Sequence, residues 1–321
     1  MDLKVNDAAA KAALLGRCDV PALELSERQA CDVELLGSGA FSPLEGFMTQ
    51  DVWQHVLDSM RLPGSGLLFG LPVVLDTERA DLVEGKTVAL TYKGEALAVM
   101  KIESAWKPDK AYECSKSYGH TTLEHPGVRY IATERKHTYI GGPLSVIGTP
   151  ARVYPVETPA ELFARLPAEQ DVVAFQCRNP IHRAHYELFI RSLDAPNVRP
   201  GAVVLVHPTC GPTQEDDIDG VVRYRTYEVL KAELNNPRVA WAYLPYSMHM
   251  AGPREAIQHM ILRKNHGCTH FIVGRDMVMQ CVHVHKTRTR ARGRTHTLSL
   301  SFQRRERAHT RTHFLSSVAT W

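Results

Sequence analysis

The chain has 321 residues, of which 44% are hydrophobic and 23% are charged. This length allows about two domains, and the composition is that of an ordinary globular protein, which excludes a coiled coil, a collagen-like fibre and wholesale disorder. The apolar runs are far shorter than the roughly 20 residues of a membrane helix, so we expect a soluble chain with no membrane partner.

The charge of the chain is unevenly distributed. The formal net charge is +3, but residues 277–321 hold nine lysines and arginines against the single acid Glu306. The preceding residues are therefore net acidic. The basic tail lacks the interleaved aromatic side chains that stack on bases, so we do not expect nucleic acid as a partner.

The seven cysteines are odd in number and form no CxxC pair. This pattern argues against a disulfide framework and against a thiolate zinc site. It favours a reducing compartment, and we expect the cytoplasm or a plastid.

Residues 1–155 predict a mixed, mostly β domain. Residues 25–48 begin with a helical period and end in a Gly-rich break, and three β-rich runs follow at 67–76, 86–92 and 95–106. Gly, Asp and Lys separate these runs, as is typical of short strands joined by turns.

From residue 171 the pattern changes to strands that alternate with helices. The predicted strands are 171–176, 202–207, 239–245 and 270–276, and the predicted helices are 182–193, 221–234 and 253–265. This alternation predicts an α/β domain with a parallel sheet covered on both faces. Ligands of such sheets bind at the carboxyl ends of the strands, so we expect the site just after residues 176, 207, 245 and 274. After Asp276 the pattern stops, and we predict that 277–321 is a disordered basic tail.

The turn after the first of these strands contains the strongest candidate site. Asn179 is suited to cap the following helix and Pro180 to its first position, which would direct free N–H groups at an anion.

Cationic and polar side chains converge on the same turn. His182 and His185 are three residues apart and so share a helix face, while Gln176 and Arg178 reach into the same crevice. This set suits a polyphosphate. Two alternatives to a polyphosphate site are a capped helix with two surface histidines and a His-His metal pair.

Three weaker candidates follow. Arg254 lies in the first turn of the last helix, where a cation opposes the helix dipole and an anionic partner is expected. Gly274, Arg275 and Asp276 end the last strand, where they could meet a nucleotide. The third candidate is a run of carboxylates that could help to position Mg²⁺, although a solvated acidic loop is the more common explanation; its members are Asp216, Asp217 and Asp219.

Other catalytic motifs are missing. The sequence contains no complete P-loop, GxGxxG or GxSxG motif. Cys177 lies in the strongest motif, but no evident base would activate it as a nucleophile.

These motifs resemble those of the ATP sulfurylase (sulfate adenylyltransferase) family. The family signature QxRNPxHxxH is met over 176–185, MAGPREA over 250–256 and GRD over 274–276, and the blocks at 25–48, 125–130 and 206–219 also match. The resemblance covers about residues 20–276. It implies a PUA-like domain over 1–155, followed by a Rossmann-like nucleotidyltransferase domain over 156–276 that is incomplete, so that the chain is a C-terminally truncated member.

The resemblance also implies a reaction. ATP, as its Mg²⁺ complex, and sulfate would give adenosine 5′-phosphosulfate and pyrophosphate, the first step of sulfate assimilation. Sulfate would attack the α-phosphorus in line, and the enzyme would act by positioning and charge stabilisation. Homo-oligomers are possible in the family.

The resemblance further implies roles for individual residues. Gln176 and Arg178 would bind sulfate. The implied catalytic set and the implied ATP-binding set overlap. The catalytic set is Cys177, Arg178, Asn179, His182 and His185, and the ATP-binding set is Gln176, Arg178, Asn179, His182, His185, Gly274, Arg275 and Asp276. Arg254 is a further possible anion contact, and no protein-bound metal is expected.

The chain departs from the family at two places. Position 177 is usually Thr and is Cys here, and the GRD motif continues as Met277-Val278-Met279 where the family has HAGPG. Two alternatives to an active sulfurylase therefore stay open. One is an adenylyltransferase with a different acceptor, and the other is a catalytically silent member that binds nucleotide or associates with full-length subunits.

Overall fold

The computed structural model describes residues 3–5, 7 and 20–274, and the backbone of Ser299–Ser301. Among the described residues, no helix has the length and apolar character needed to cross a membrane.

The first half of the chain is built on a seven-stranded, mostly antiparallel sheet. Its strands are β1 (Ala22–Glu24), β2 (Gly46–Phe47), β3 (Leu75–Thr77), β4 (Thr87–Tyr92), β5 (Glu95–Lys101), β6 (Ser104–Trp106) and β7 (Thr138–Val146). Strand β7 is the centre of this sheet, because β2, β3, β5 and β6 all pair with it. The helices of this half are α1 (Glu27–Gly37), α2 (Gln50–Ser59), α3 (Lys110–Tyr118) and α4 (Pro126–Arg129), the last continued by a π-helical turn, Tyr130–Glu134.

The mostly β character predicted for this half is confirmed, but one predicted strand is largely wrong. Of the run 67–76, only its end enters a strand, β3. Pro72 lacks an N–H group for a sheet ladder. Gly70 lies so close to the helix Gly252–Asn265 that a Cβ atom here would come within 2.1 Å of the Arg254 carbonyl oxygen. The run therefore forms a packed loop.

The second half contains the predicted alternation of strands and helices. Its strands are β8 (Val172–Phe175), β9 (Val203–Val206), β10 (Val239–Trp241), β11 (His270–Ile272) and β12 (Ser299–Ser301), and its helices are α5 (Pro159–Arg165), α6 (Arg183–Ser192), α7 (Gly220–Leu234) and α8 (Gly252–Asn265). Strand β8 is buried at every position, as expected for a strand covered on both faces.

The strand order of the second sheet is β10-β9-β8-β11-β12. The first four strands are parallel, and β12 is antiparallel to β11. Of the tail 277–321, for which the sequence predicts disorder, only β12 is described, and the rest lies outside the described residues.

The two halves share a hydrophobic core. Tyr246, Met248 and Leu262 of the second half are buried in the same cluster as the residues of the first sheet. Polar contacts reinforce this packing: Asn265 donates to the carbonyl oxygens of Ala40 and Ser42. The first domain is thus packed against helix α8 and the loop that follows β10.

Candidate active site

The order of the parallel strands locates the candidate site. Successive strands run outward from β8 to β9 and β10, and the chain then returns to place β11 on the other side of β8. The sheet order reverses between β8 and β11, which makes this the topological switch point where open α/β sheets bind ligands. The turn after β8 and the residues after β11 border this point, as predicted.

The loops after β8, β9 and β10 run side by side beyond the sheet. The Thr209 N–H donates to the Cys177 carbonyl oxygen at 2.9 Å, and Thr209 also forms a parallel bridge with Leu244. Backbone contacts of the parallel-strand type therefore continue past the strand ends and hold these three loops together. Gln176 reaches the third loop, with its Nε2 atom 3.9 Å from the Met248 sulfur.

The helix after β8 begins later than predicted. Helix α6 starts at Arg183, and its N-cap is His182, whose Nδ1 accepts from the Ala184 N–H at 3.2 Å. The assignment of Asn179 as N-cap and Pro180 as first helical residue is therefore wrong. His182 has an extended backbone, and its imidazole satisfies one of the free N–H groups at the start of the helix.

The prediction that His182 and His185 lie together is confirmed. Their rings stack with centroids 3.9 Å apart and an interplanar angle of 25°. Burial, and then the charge of His182, lower the pKa of His185. The buried Nδ1 of His185 has no hydrogen-bond partner among the described residues. Both imidazoles stand at the start of a helix, where an anion is favoured.

Arg178 forms an ion pair with Asp217 from the loop after β9. This contact changes the interpretation of the predicted carboxylate cluster. The Asp219 carboxylate is the N-cap of α7, since it accepts hydrogen bonds from the Val221 and Val222 N–H groups. Asp216 is exposed. Among the described residues no group of three potential ligands could hold a metal ion. The three carboxylates therefore do not form a magnesium site.

Cys177 and Asn179 contribute main chain to the site. The Cys177 side chain is 8% exposed and belongs to the core, with its sulfur 3.8 Å from the Tyr227 hydroxyl oxygen. Burial raises the pKa of this thiol to about 12, which disfavours the thiolate that a nucleophile needs. The Tyr227 hydroxyl donates to the Asn179 carbonyl oxygen at 3.0 Å, which fixes the turn.

Arg254 lies away from this crevice. Its guanidinium donates to the carbonyl oxygens of Val56 and Leu57, in the last turn of α2. The negative partner expected for Arg254 is therefore the carboxyl end of another helix, and the residue joins the two domains. Gly274 follows β11 at the switch point, and no atom of the described residues beyond its chain neighbours lies within 4 Å of the place that a Cβ atom would take there. Arg275 and Asp276 lie outside the described residues.

Two arginines that no sequence pattern predicted hold the site loops, one buried (Arg223) and one half-buried (Arg28). Arg223 of α7 donates to the carbonyl oxygens of Arg178, Thr209 and Gly211. Arg28 of α1 donates to those of Thr213 and Met248, at 2.9 and 2.8 Å. No local sequence signal marks these side chains, because their partners are backbone carbonyls distant in sequence.

The fold and the site together define an α/β domain with a parallel sheet and a cationic turn at its switch point, preceded by a mostly β domain. Residues 152–289 match the model of the ATP-sulfurylase family, and residues 1–149 match that of the PUA-like domain. The chain thus belongs to the ATP-sulfurylase family, with a PUA-like domain at its N-terminal side.

Curated relatives agree with this assignment. The chain is 43% identical over 288 residues to a sulfate adenylyltransferase of Chaetomium globosum, a match that covers 86% of this chain and 49% of the relative. It is 40% identical over 288 residues to that of Schizosaccharomyces pombe, covering 86% and 58%. The chain therefore spans about half the length of the curated relatives it matches.

A solved structure shares the fold. The hexameric APS kinase from Thiobacillus denitrificans superimposes with a TM-score of 0.68 and 25% sequence identity, over 85% of this chain and 51% of that chain.

Proposed function

We propose that this chain is a sulfate adenylyltransferase, which joins sulfate to the adenylyl group of Mg-ATP and releases pyrophosphate. The observation that supports it most is the turn after β8, which carries Arg178 and the stacked pair His182 and His185 at the switch point of a sheet of this family.

The proposed step needs no covalent enzyme intermediate. A sulfate oxygen forms a bond to the α-phosphorus, the bond from that phosphorus to the bridging oxygen of the β-phosphate breaks, and the electron pair leaves with pyrophosphate. The sulfate dianion carries no proton that must be removed. The protein therefore acts by orientation and by stabilising negative charge.

We assign the roles accordingly. Gln176 and Arg178 bind sulfate, while His182 and His185 face the phosphates at the start of α6. The unbound His185 imidazole is neutral at pH 7, since its pKa is lowered, and the approach of a phosphate favours its protonation. Gly274 borders the nucleotide, and Arg275 and Asp276 are proposed to contact it. Magnesium enters with ATP as part of the substrate.

We further propose domain limits of 1–155, 156–276 and 277–321. The five described cysteines are all free, which supports a reducing compartment, the cytoplasm or a plastid. Self-association is also proposed, because the structural relative is described as hexameric. Light scattering of the purified chain tests it.

The deciding experiment measures pyrophosphate release from Mg-ATP by the full chain, with and without sulfate. We expect release that requires sulfate and that Arg178→Ala abolishes, while Arg225→Ala, at an exposed position of α7, retains it. A folded wild-type chain that binds an ATP analogue without turnover would identify the silent alternative instead. Release driven equally by another acceptor would identify a different adenylyltransferase.

A further inference from the structure

Asp217 holds the Arg178 side chain at one end only. The carboxylate pairs with the Nη1 atom of Arg178, and the other guanidinium nitrogens form no hydrogen bond with any described residue. The Asp217 side chain is 7% exposed and that of Arg178 is 26% exposed. The remaining N–H groups of the Arg178 guanidinium are therefore available to bind a second anion. The Asp217 carboxylate restricts the orientation of this guanidinium.

Arg223 holds the main chain of the same residue. Its side chain is almost completely buried, at 1% exposed, and it forms no ion pair with a described carboxylate. Its Nη1 atom donates to the carbonyl oxygens of Arg178 and Thr209, each at 2.9 Å, and its Nη2 atom donates to that of Gly211 at 3.1 Å. One guanidinium thus joins the turn after β8 to the loop after β9.

The two contacts are complementary. Arg223 determines where the Arg178 backbone lies, and Asp217 determines where its guanidinium points. Asp217 lies in the segment that links β9 to α7, which also contains Asp219, the cap of α7, whereas Arg223 lies near the start of α7 itself. The position of Arg178 is therefore fixed by a different βα unit from its own.

We propose that Asp217 and Arg223 are positioning residues for the oxyanion substrate, and that both act through Arg178. This inference rests on the proposed function, because it takes sulfate to be the anion that Arg178 binds. Two other roles make different predictions: Asp217 could instead occupy the place of the anion and exclude it, or both residues could serve stability alone.

The first test compares Asp217→Asn and Asp217→Ala in the full chain. Binding of radiolabelled sulfate is measured by equilibrium dialysis in the presence of the non-cleavable analogue α,β-methylene-ATP. Asp217→Ala should weaken sulfate binding by about tenfold, in line with the loss of a charge-assisted hydrogen bond. Asp217→Asn keeps an oxygen acceptor for Arg178 and should recover most of this loss. Asp216→Ala, at the exposed neighbouring carboxylate, is the matched control.

The outcomes of this test separate the three roles. Tighter sulfate binding by Asp217→Ala would mean that the carboxylate excludes the anion, and would overturn the proposal. Unchanged sulfate binding with a lowered midpoint of thermal unfolding would reduce Asp217 to a stabilising residue, and would overturn it as well. In both Asp217 variants the affinity for the nucleotide analogue alone should stay the same, because Asp217 is proposed to affect only the binding of sulfate.

The second test replaces Arg223 by Lys and by Met, with Arg225→Met as the control at an exposed position of the same helix. Lysine keeps the charge but cannot bond three carbonyl oxygens in a plane. Both Arg223 variants should weaken sulfate binding by about tenfold or more. Full sulfate affinity in Arg223→Lys would show that only the charge matters, and would contradict the positioning role. Should these variants fail to fold, the Asp217 pair decides the proposal.

The failure of this inference differs from the failure of the proposed function. A wild-type chain that neither binds sulfate nor releases pyrophosphate would contradict both the proposed function and the positioning role. A wild-type chain that binds sulfate, together with Asp217 and Arg223 variants that bind it equally well, removes the positioning role and leaves the proposed function in place.

Discussion

The imidazole rings of His182 and His185 stack at 3.9 Å although the two residues have different backbone roles. His182 is the N-cap of α6, and His185 lies in the first turn of that helix. The cap bond fixes the first ring, and burial beside Phe175 restricts the second. Two imidazoles so close together cannot both be protonated without repulsion unless an anion lies beside them.

We therefore predict that His182 influences the titration of His185. His182→Ala should raise the pKa of His185 relative to the wild-type chain, because the neighbouring positive charge that lowers it is removed. Binding of α,β-methylene-ATP to the wild-type chain should raise it too. Histidine proton resonances followed by NMR against pH measure both effects. A pKa of His185 that is unchanged in His182→Ala would contradict the coupling, and the exposed His55 provides the control resonance.

The second prediction concerns the domain interface. Arg254→Ala removes two hydrogen bonds to the carbonyl oxygens of α2, and should lower the free energy of unfolding by about 1–3 kcal/mol. Affinity for the nucleotide analogue should stay within about twofold, since Arg254 lies away from the crevice. Urea unfolding and equilibrium dialysis measure the two quantities.

Arg191→Ala is the control for this variant. Arg191 forms an exposed pair with Glu187 on α6, and its loss should cost less than about 0.5 kcal/mol. A large loss of nucleotide affinity in Arg254→Ala with normal stability would place Arg254 in the active site after all.

The third prediction is that Cys177 is inert. Its thiol is buried and its pKa is raised to about 12, so almost no thiolate exists at pH 8. Alkylation of Cys177 by iodoacetamide should be at least about 100-fold slower in the native chain than in denaturant. Peptide mass spectrometry measures the rate at this position. Rapid native labelling would show an activated thiol and reopen a nucleophilic role.

The fourth prediction concerns stability against pH. His266 is buried, with its Nδ1 atom 2.7 Å from the Leu262 carbonyl oxygen, and burial lowers its pKa to about 4. The unfolded chain, with a histidine pKa of about 6.5, binds more protons between these values. The contribution of His266 to the free energy of unfolding therefore falls as pH decreases from about 6.5 towards 4, by up to about 1.4 kcal/mol per pH unit.

The measurement compares wild type with His266→Gln. Burial raises the pKa of Asp32, to about 7, and that of Glu34, so these carboxyl groups change stability in the opposite direction over the same range. They are present in both chains, and the difference between the two curves isolates His266. The variant should lose less stability on acidification than wild type. Parallel curves from urea unfolding at several pH values would refute the assignment.

Local patterns were sufficient to predict the architecture of the second domain. The apolar runs at 172–175 and 203–206 and the helical periods between them depend on neighbours in sequence, so their alternation indicated a parallel sheet. The rule that ligands bind at the carboxyl ends of the strands then placed Arg178, His182 and His185 at the candidate site. The first domain was predicted less well, because its central strand β7 and the packed loop at 67–74 depend on partners far along the chain.

The sequence by itself therefore determined the class of fold, the family and the turn where the chemistry is proposed, since each is encoded in residues close together. Tertiary structure decided what those side chains do. It pairs Arg178 with Asp217, buries Cys177, directs Arg254 to the end of α2 and brings Arg223 to three backbone carbonyls. The physical reason is that a buried charged side chain forms hydrogen bonds with whichever partner folding brings close to it. Every residue has a backbone carbonyl group, so a carbonyl partner distant in sequence cannot be predicted from the pattern of side chains.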